Sequence, residues 1–140
     1  MDINNIGIAV VIHNPVTKKI LLIEEPSTNL HSNKSKGDLS LVVGHVKSGE
    51  SPIEAATREI AEETGLTNVV PDRLVKIFYF KKGHIVFLFS CENDTGSNSI
   101  GNWYDLDSVK KLHNLRPQVG DAILQFESGE YVDPKLIFTS

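Results

Sequence analysis

The stretch Gly44-His45-Val46-Lys47-Ser48-Gly49-Glu50-Ser51-Pro52-Ile53-Glu54-Ala55-Ala56-Thr57-Arg58-Glu59-Ile60-Ala61-Glu62-Glu63-Thr64-Gly65-Leu66 decides how this chain is read. Its second half signals a helix at both ends. Ser51 is a good N-cap, Pro52 fits the first helical position, and Glu54 completes a capping box. Gly65 suits the left-handed residue that follows a helix. At roughly 100° per residue, Glu59, Glu62 and Glu63 fall within about a 100° arc. Ile53, Ala56 and Ile60 form an adjoining apolar stripe, expected to pack inward. Three carboxylates are therefore predicted side by side next to a buried face, where like charges repel. A divalent cation with oxygen ligands is the usual relief. A glutamate-rich helix is otherwise most often a solvated face. Two features weigh against that here: the i, i+3, i+4 spacing with only Arg58 as a close basic neighbour, and membership in a longer pattern.

That pattern runs Gly44, five residues, Glu50, seven residues, Arg58-Glu59, an apolar residue, any residue, Glu62-Glu63, any residue, Gly65 and an apolar residue. At every defining position it resembles the Nudix box of the Nudix hydrolase family. The resemblance implies an α+β fold, a Nudix-type α/β/α sandwich with a central mixed β-sheet, in which the box forms loop, helix and loop. It implies hydrolysis of a nucleoside diphosphate linked to another group, with Mg²⁺ or Mn²⁺. By the same resemblance Glu59, Glu62 and Glu63 are metal-binding acids, and Glu59 matches the general base of some members; Glu59 or Glu62 is expected to take the proton from the attacking water. Arg58 orients the box carboxylates, Glu50 supports the box, and Gly44 makes its opening turn. Upstream the chain departs from the common family pattern. Val43 stands where a glycine is usual, and Lys47 where an acid is common. No acid lies in Ser97–Asn102, just before Trp103; Asp94, Asp121 and Glu127 are candidate replacements.

Composition narrows the alternatives. With 140 residues, 40% apolar and 23% charged, the chain reads as a single domain of ordinary globular composition. A net charge of −4 leaves no electrostatic footprint for a nucleic-acid polymer. One cysteine, Cys91, sits in an apolar run, reads as a small buried hydrophobe, and suits the reducing cytoplasm. No signal peptide and no apolar run long enough for a membrane span is evident. Dimers occur in the family, so a homodimer is among the resemblance's implications. A nucleotide-sensing domain that binds without cleaving is the alternative function; the full set of box acids argues against it.

Strands are expected at Ile6–His13, Lys19–Glu25, Leu39–Val43, Arg73–Phe80, Ile85–Cys91 and Asn102–Asp105. Helices are expected at Asp107–His113 and Pro117–Phe126, with Tyr131–Ser140 as a tail. The polar stretch Pro26–Asp38 reads as a solvated loop or as an arm bringing Lys34 and Lys36 to substrate phosphates. Other motifs fail. Gly44–Ser51 nearly spells a P-loop, but Glu50 occupies the lysine position and reverses its charge. Asp105-Leu106-Asp107 begins like a calcium loop, yet its twelfth position is Arg116. The five histidines lack zinc-ligand spacing, and no Gly-x-Ser-x-Gly elbow exists. His45, inside the box, either faces substrate or is an ordinary surface histidine. Tyr79 or Tyr104 is the aromatic ring expected to be exposed.

Overall fold

The structure is a computed structural model and describes residues 5–26, 36–94 and 99–138. Among these, seven strands join into a mixed sheet: β1 (Ile6–Asn14), β2 (Lys19–Glu24), β3 (Leu39–Ser40), β4 (Val42–His45), β5 (Arg73–Phe80), β6 (His84–Glu92) and β7 (Asn102–Asp105). The order is β3-β2-β1-β6-β5, with β4 on β1 and β7 on β2. Strand β1 is central and pairs in parallel with β6, from Ile6 opposite Ile85 to His13 opposite Glu92. Helix α1 (Pro52–Thr64) covers one face, and the short α2 (Leu106–Val109) and α3 (Val119–Glu127) cover the other.

The near-continuous apolar run of β1 follows from this position, since a strand covered on both faces needs apolar side chains on both. Ile8, Val10 and Ile12 point to the α1 side, where they pack with Ala55, Ala56 and Ile60. Val11 points the other way, toward Val119, Ala122 and Ile123 of α3. The α/β/α layering expected from the resemblance is therefore what the side chains build. Helix α1 begins and ends as its sequence specifies. Ser51 accepts from the Glu54 amide, Glu54 accepts from the Ser51 amide, and Gly65 closes the helix at φ 79°.

Three elements differ from the sequence expectation, two of them at a long-range contact and one at a left-handed residue. The strand expected at Leu39–Val43 is two strands with Leu41 at the switch: Ser40 pairs with Ile23 of β2, and Val42 pairs with Val10 of β1. The helix expected at Asp107–His113 stops at Val109. The chain beyond it turns through Lys110 and Lys111 and then reaches β3, with Leu115 bridging to Leu39; the Leu39 amide donates to Asn114 (2.8 Å) and the Arg116 amide donates to Leu39 (2.8 Å). Pro117 cannot open α3, because Gln118 takes a left-handed conformation at φ 75° and the helix starts at Val119. The expected tail is partly structured. Val132 exchanges both backbone hydrogen bonds with Leu74, and Phe138 lies edge-on to Phe87 with ring centroids 5.2 Å apart. Lys34 lies outside the described residues; Lys36 is exposed.

The residues just before β7 are fixed against α1. Ile100 donates its amide to the carbonyl of the buried Thr64 (2.8 Å). Gly101, at φ 109°, lies so close to β2 that a Cβ would sit 2.7 Å from the Leu22 carbonyl oxygen. Cys91 is buried as expected. Burial, helped by the Asp72 and Glu92 carboxylates, pushes its thiol up to about 12. No helix among the described residues is long and apolar enough to cross a membrane.

Ile60 is fully buried where α1 meets β1. Ile60→Ala is expected to destabilise the fold by about 2–5 kcal/mol, the usual cost of truncating a fully buried isoleucine. Urea denaturation checks this; a loss below about 1 kcal/mol would contradict the packing described.

Candidate active site

The site starts from Arg58, on the second turn of α1. A guanidinium offers five N–H donors in a fixed planar fork, and five contacts take them up. Nε and Nη2 form a bidentate pair with Glu50 at 2.8 and 2.9 Å. Nη1 donates to Glu59 Oε1 at 2.7 Å and to Glu62 Oε2 at 3.3 Å. Nη2 also donates to the His45 carbonyl at 3.0 Å. One side chain thus ties the loop after β4 to the helix. Glu50 also accepts from the Lys47 amide at 2.9 Å. The hydrogen bonds from Arg58, reinforced by that amide and by the nearby positive charges, hold the Glu50 carboxyl down at about 2. The same carboxylates raise the Arg58 guanidinium, which stays charged at any accessible pH.

Glu59 is the most enclosed of the measured helix acids, with 15% of its side chain exposed against 55% for Glu62. Its carboxylate lies directly over Gly44. A Cβ at Gly44 would come within 2.5 Å of Glu59 Oε1 and 2.6 Å of its Cγ. The glycine opening the box therefore makes room for the acid, which is a stronger requirement than a turn. Val43, the apolar replacement for a glycine, pairs with Ala9 inside the β1–β4 ladder. A β-branched residue is well suited to that extended backbone.

Glu59 and Glu63 face a cleft of about 430 Å³, with Lys47 and Glu25 also on its wall. Glu62 lies outside it and leans on Arg58. Among the described residues, no three acids, histidines or cysteines converge as a ready-made cation cage. The expected convergence of Glu59, Glu62 and Glu63 is thus not present in this arrangement. Arg58 supplies part of the charge relief that the sequence assigned to a cation. The donor set still suits a hard divalent ion, since it is made of carboxylate oxygens and Arg58 engages one oxygen each of Glu59 and Glu62.

A second cleft of about 510 Å³ adjoins the first across β4, and Ser40, Leu41, Val43, Gly44 and His45 line both. Its floor includes Phe78, Phe80 and Leu88, and its far rim is the start of α3. His45 stands between the clefts, its ring stacked on His84 at 6.3 Å. Of the candidate replacement acids, Asp121 lines this second cleft and Glu127 is paired with Lys110 at 2.7 Å. Asp94 lines neither cleft. The acid outside the box that reaches the first cleft is Glu25, just past β2. Nothing in its local sequence marked it; only the β2–β3 pairing brings it there. Tyr79 is exposed as expected, at 71%, whereas Tyr104 is half-buried against the α3-side core.

The profile of the NUDIX domain family matches residues 4–126. The chain belongs to the Nudix hydrolase family. Phosphatase NudJ from Escherichia coli K12 is 26% identical, in an alignment covering 90% of this chain and 85% of that protein. Nudix hydrolase 6 from Arabidopsis thaliana is 33% identical over 85 residues, 61% of this chain, and the chain spans only 28% of that longer protein. Among solved structures, a NUDIX hydrolase from Nitrosomonas europaea aligns over 97% of both chains with a TM-score of 0.72 and 24% identity. The NUDIX domain of Shewanella oneidensis NrtR, complexed with ADP ribose, aligns over 92% of this chain and 90% of that one, with a TM-score of 0.69 and 14% identity. At these identities the structural likenesses concern the fold.

Two outcomes follow from the geometry. Gly44→Ala is expected to displace the Glu59 carboxylate and to lower any metal-dependent turnover at least tenfold. Gly44→Ala retaining full activity would show that Glu59 need not lie where it does. For Glu50, a lowered carboxyl contributes stability that is fully present above its ordinary value of 4.5 and is lost as pH falls toward about 2. The stability gap between the wild type and Glu50→Gln should be constant above about pH 5 and should shrink between pH 4.5 and 2. Urea midpoints measured across that range check this, and a gap independent of pH would contradict it.

Proposed function

We propose that this protein hydrolyses a phosphoanhydride bond in a nucleoside diphosphate linked to another group, with Mg²⁺ or Mn²⁺. Nucleoside triphosphates, dinucleoside polyphosphates, ADP-ribose and nucleotide sugars make up the class. The observation that carries the reading is the box as it is built: Glu59 seated on Gly44, facing a cleft it shares with Glu63, with Arg58 fixing its rotamer. Family membership supports it, and so do the names hydrolase and phosphatase borne by the relatives.

The chemical problem is the negative charge on the diphosphate oxygens, which repels an attacking water. A divalent ion bound there shields those oxygens, acidifies water and orients the leaving group. Glu59 and Glu63 would hold such an ion from the cleft, and Glu62 would join them on leaving Arg58, whose contact with it is the longest of the five. Glu59 takes the proton from the attacking water. Its low exposure and its place on the cleft wall favour it over Glu62 for this step. Arg58 keeps that carboxylate from swinging, and Lys47 sets a positive charge at the cleft mouth toward the substrate phosphates. The single buried thiol of Cys91 suits a reducing compartment, and we place the activity in the cytoplasm.

Release of phosphate or nucleotide from a panel of these compounds, with Mg²⁺ and with chelator, tests the reading, and ¹⁸O-water locates the attacked phosphorus. On a confirmed substrate, Glu59→Gln and Glu63→Gln are each expected to lower the rate by about 10²-fold or more. Near wild-type turnover by both variants, or turnover that chelator leaves untouched, would sink the assignment.

A further inference from the structure

The second cleft holds a polar group that the proposed chemistry does not use. Nη1 of Arg116 is buried and has no hydrogen-bond acceptor among the described residues. The nearest carboxylate oxygen, Glu25 Oε1, is 3.7 Å away, an ion-pair distance too long for a hydrogen bond. A buried charged donor left this way is costly, by more than the value of an ordinary hydrogen bond. The backbone around it is nevertheless firmly held. The Arg116 amide donates to Leu39 at 2.8 Å, and its carbonyl accepts from the Val119 amide at 3.2 Å. Pro117 follows directly and restricts Arg116 to extended conformations. The main chain is pinned on both sides, while the guanidinium head lacks a full set of acceptors.

Arg116 is among the residues lining the apolar cleft beside β4, and its partner Glu25 is among those lining the first cleft. The pair therefore spans the junction between the two. Around the second cleft the other charged or titratable groups are Asp121, His45 and His84, so Arg116 is its one permanent cation among the described residues. A ligand reaching from the first cleft into the second meets apolar strand side chains and then this guanidinium.

We propose that Arg116 binds an additional oxyanion on the substrate, a phosphate or carboxylate carried beyond the scissile diphosphate, and so selects for substrates bearing one. The proposal rests on the diphosphate reading of the first cleft. An Arg fork suits either oxyanion through paired N–H donors. The long contact with Glu25 keeps the head oriented in the free protein and yields to a closer acceptor.

Matched ligand pairs test this: NADPH against NADH, differing by one ribose phosphate, and UDP-glucuronate against UDP-glucose, differing by one carboxylate. Dissociation constants are measured calorimetrically in EDTA, so binding is read without turnover. The wild type is expected to bind the more anionic member of at least one pair about tenfold or more tightly, the scale of a hydrogen bond between charged groups. The pair showing the ratio tells phosphate from carboxylate. Arg116→Gln should bring the ratio close to one, and Glu25→Gln, which frees the guanidinium, should raise it. Ratios near one in both pairs, including no saturable binding, overturn the proposal. So does a ratio that survives in folded Arg116→Gln. If that variant does not fold, an unchanged or smaller ratio in Glu25→Gln overturns it alone. Adding Mg²⁺ separates the two readings. A tenfold ratio without product release counts against hydrolysis and not against Arg116; release without a ratio counts the other way.

Discussion

The site depends on one guanidinium meeting five acceptors. The loop between β4 and α1 has no regular structure of its own, and Arg58 fastens it at the His45 carbonyl and at Glu50 while steadying Glu59 and Glu62 on the helix. Its bidentate partner Glu50 is driven deep into the ionised range by that contact. One positive charge therefore meets three carboxylates, and Glu63 adds a fourth acid nearby. Arg58 organises the acids without neutralising them. The negative charge left over is the feature on which the proposed divalent-cation site rests.

The parts of the structure legible in the sequence are those whose causes are local. Helix α1 is written by its own caps and its own 3.6-residue periodicity, so its limits could be read directly. The buried β1 was legible because burial on both faces leaves an apolar run. The break at Leu41, the early end of α2 and the late start of α3 were not legible. The first two arise where β3 meets chain about 75 residues further on, in the Leu39–Leu115 bridge, and the third from the left-handed Gln118. No window centred on Leu41 or Lys110 contains the partner met at that bridge.

The site divides along the same line. Arg58, Glu59, Glu50 and Gly44 lie within a short stretch and assemble through helix spacing and one turn, so their pattern survives as a sequence motif. The motif gave the residues but not their arrangement: Glu62 leans away to Arg58, and Gly44 serves to admit a carboxylate. Glu25 and Arg116 belong to no motif, because they meet only after β2, β3 and the approach to α3 are in place.

This division gives the two clefts different tolerance to change. Strand β4 is their common wall, and its residues are held by the β1 ladder on one side and Arg58 on the other. The cleft beside α1 draws on contiguous residues that share one guanidinium, so altering one disturbs the rest. The cleft beside α3 draws on β5, β6 and the turn before α3, elements that make no hydrogen bond with Arg58. Its link to the first cleft includes the Glu25–Arg116 contact, which at 3.7 Å is too long for a hydrogen bond. Changes at Phe78, Phe80 or Arg116 can therefore reshape the second cleft while the acid platform keeps its geometry. The same separation leaves the nature of the leaving group unwritten in the box itself.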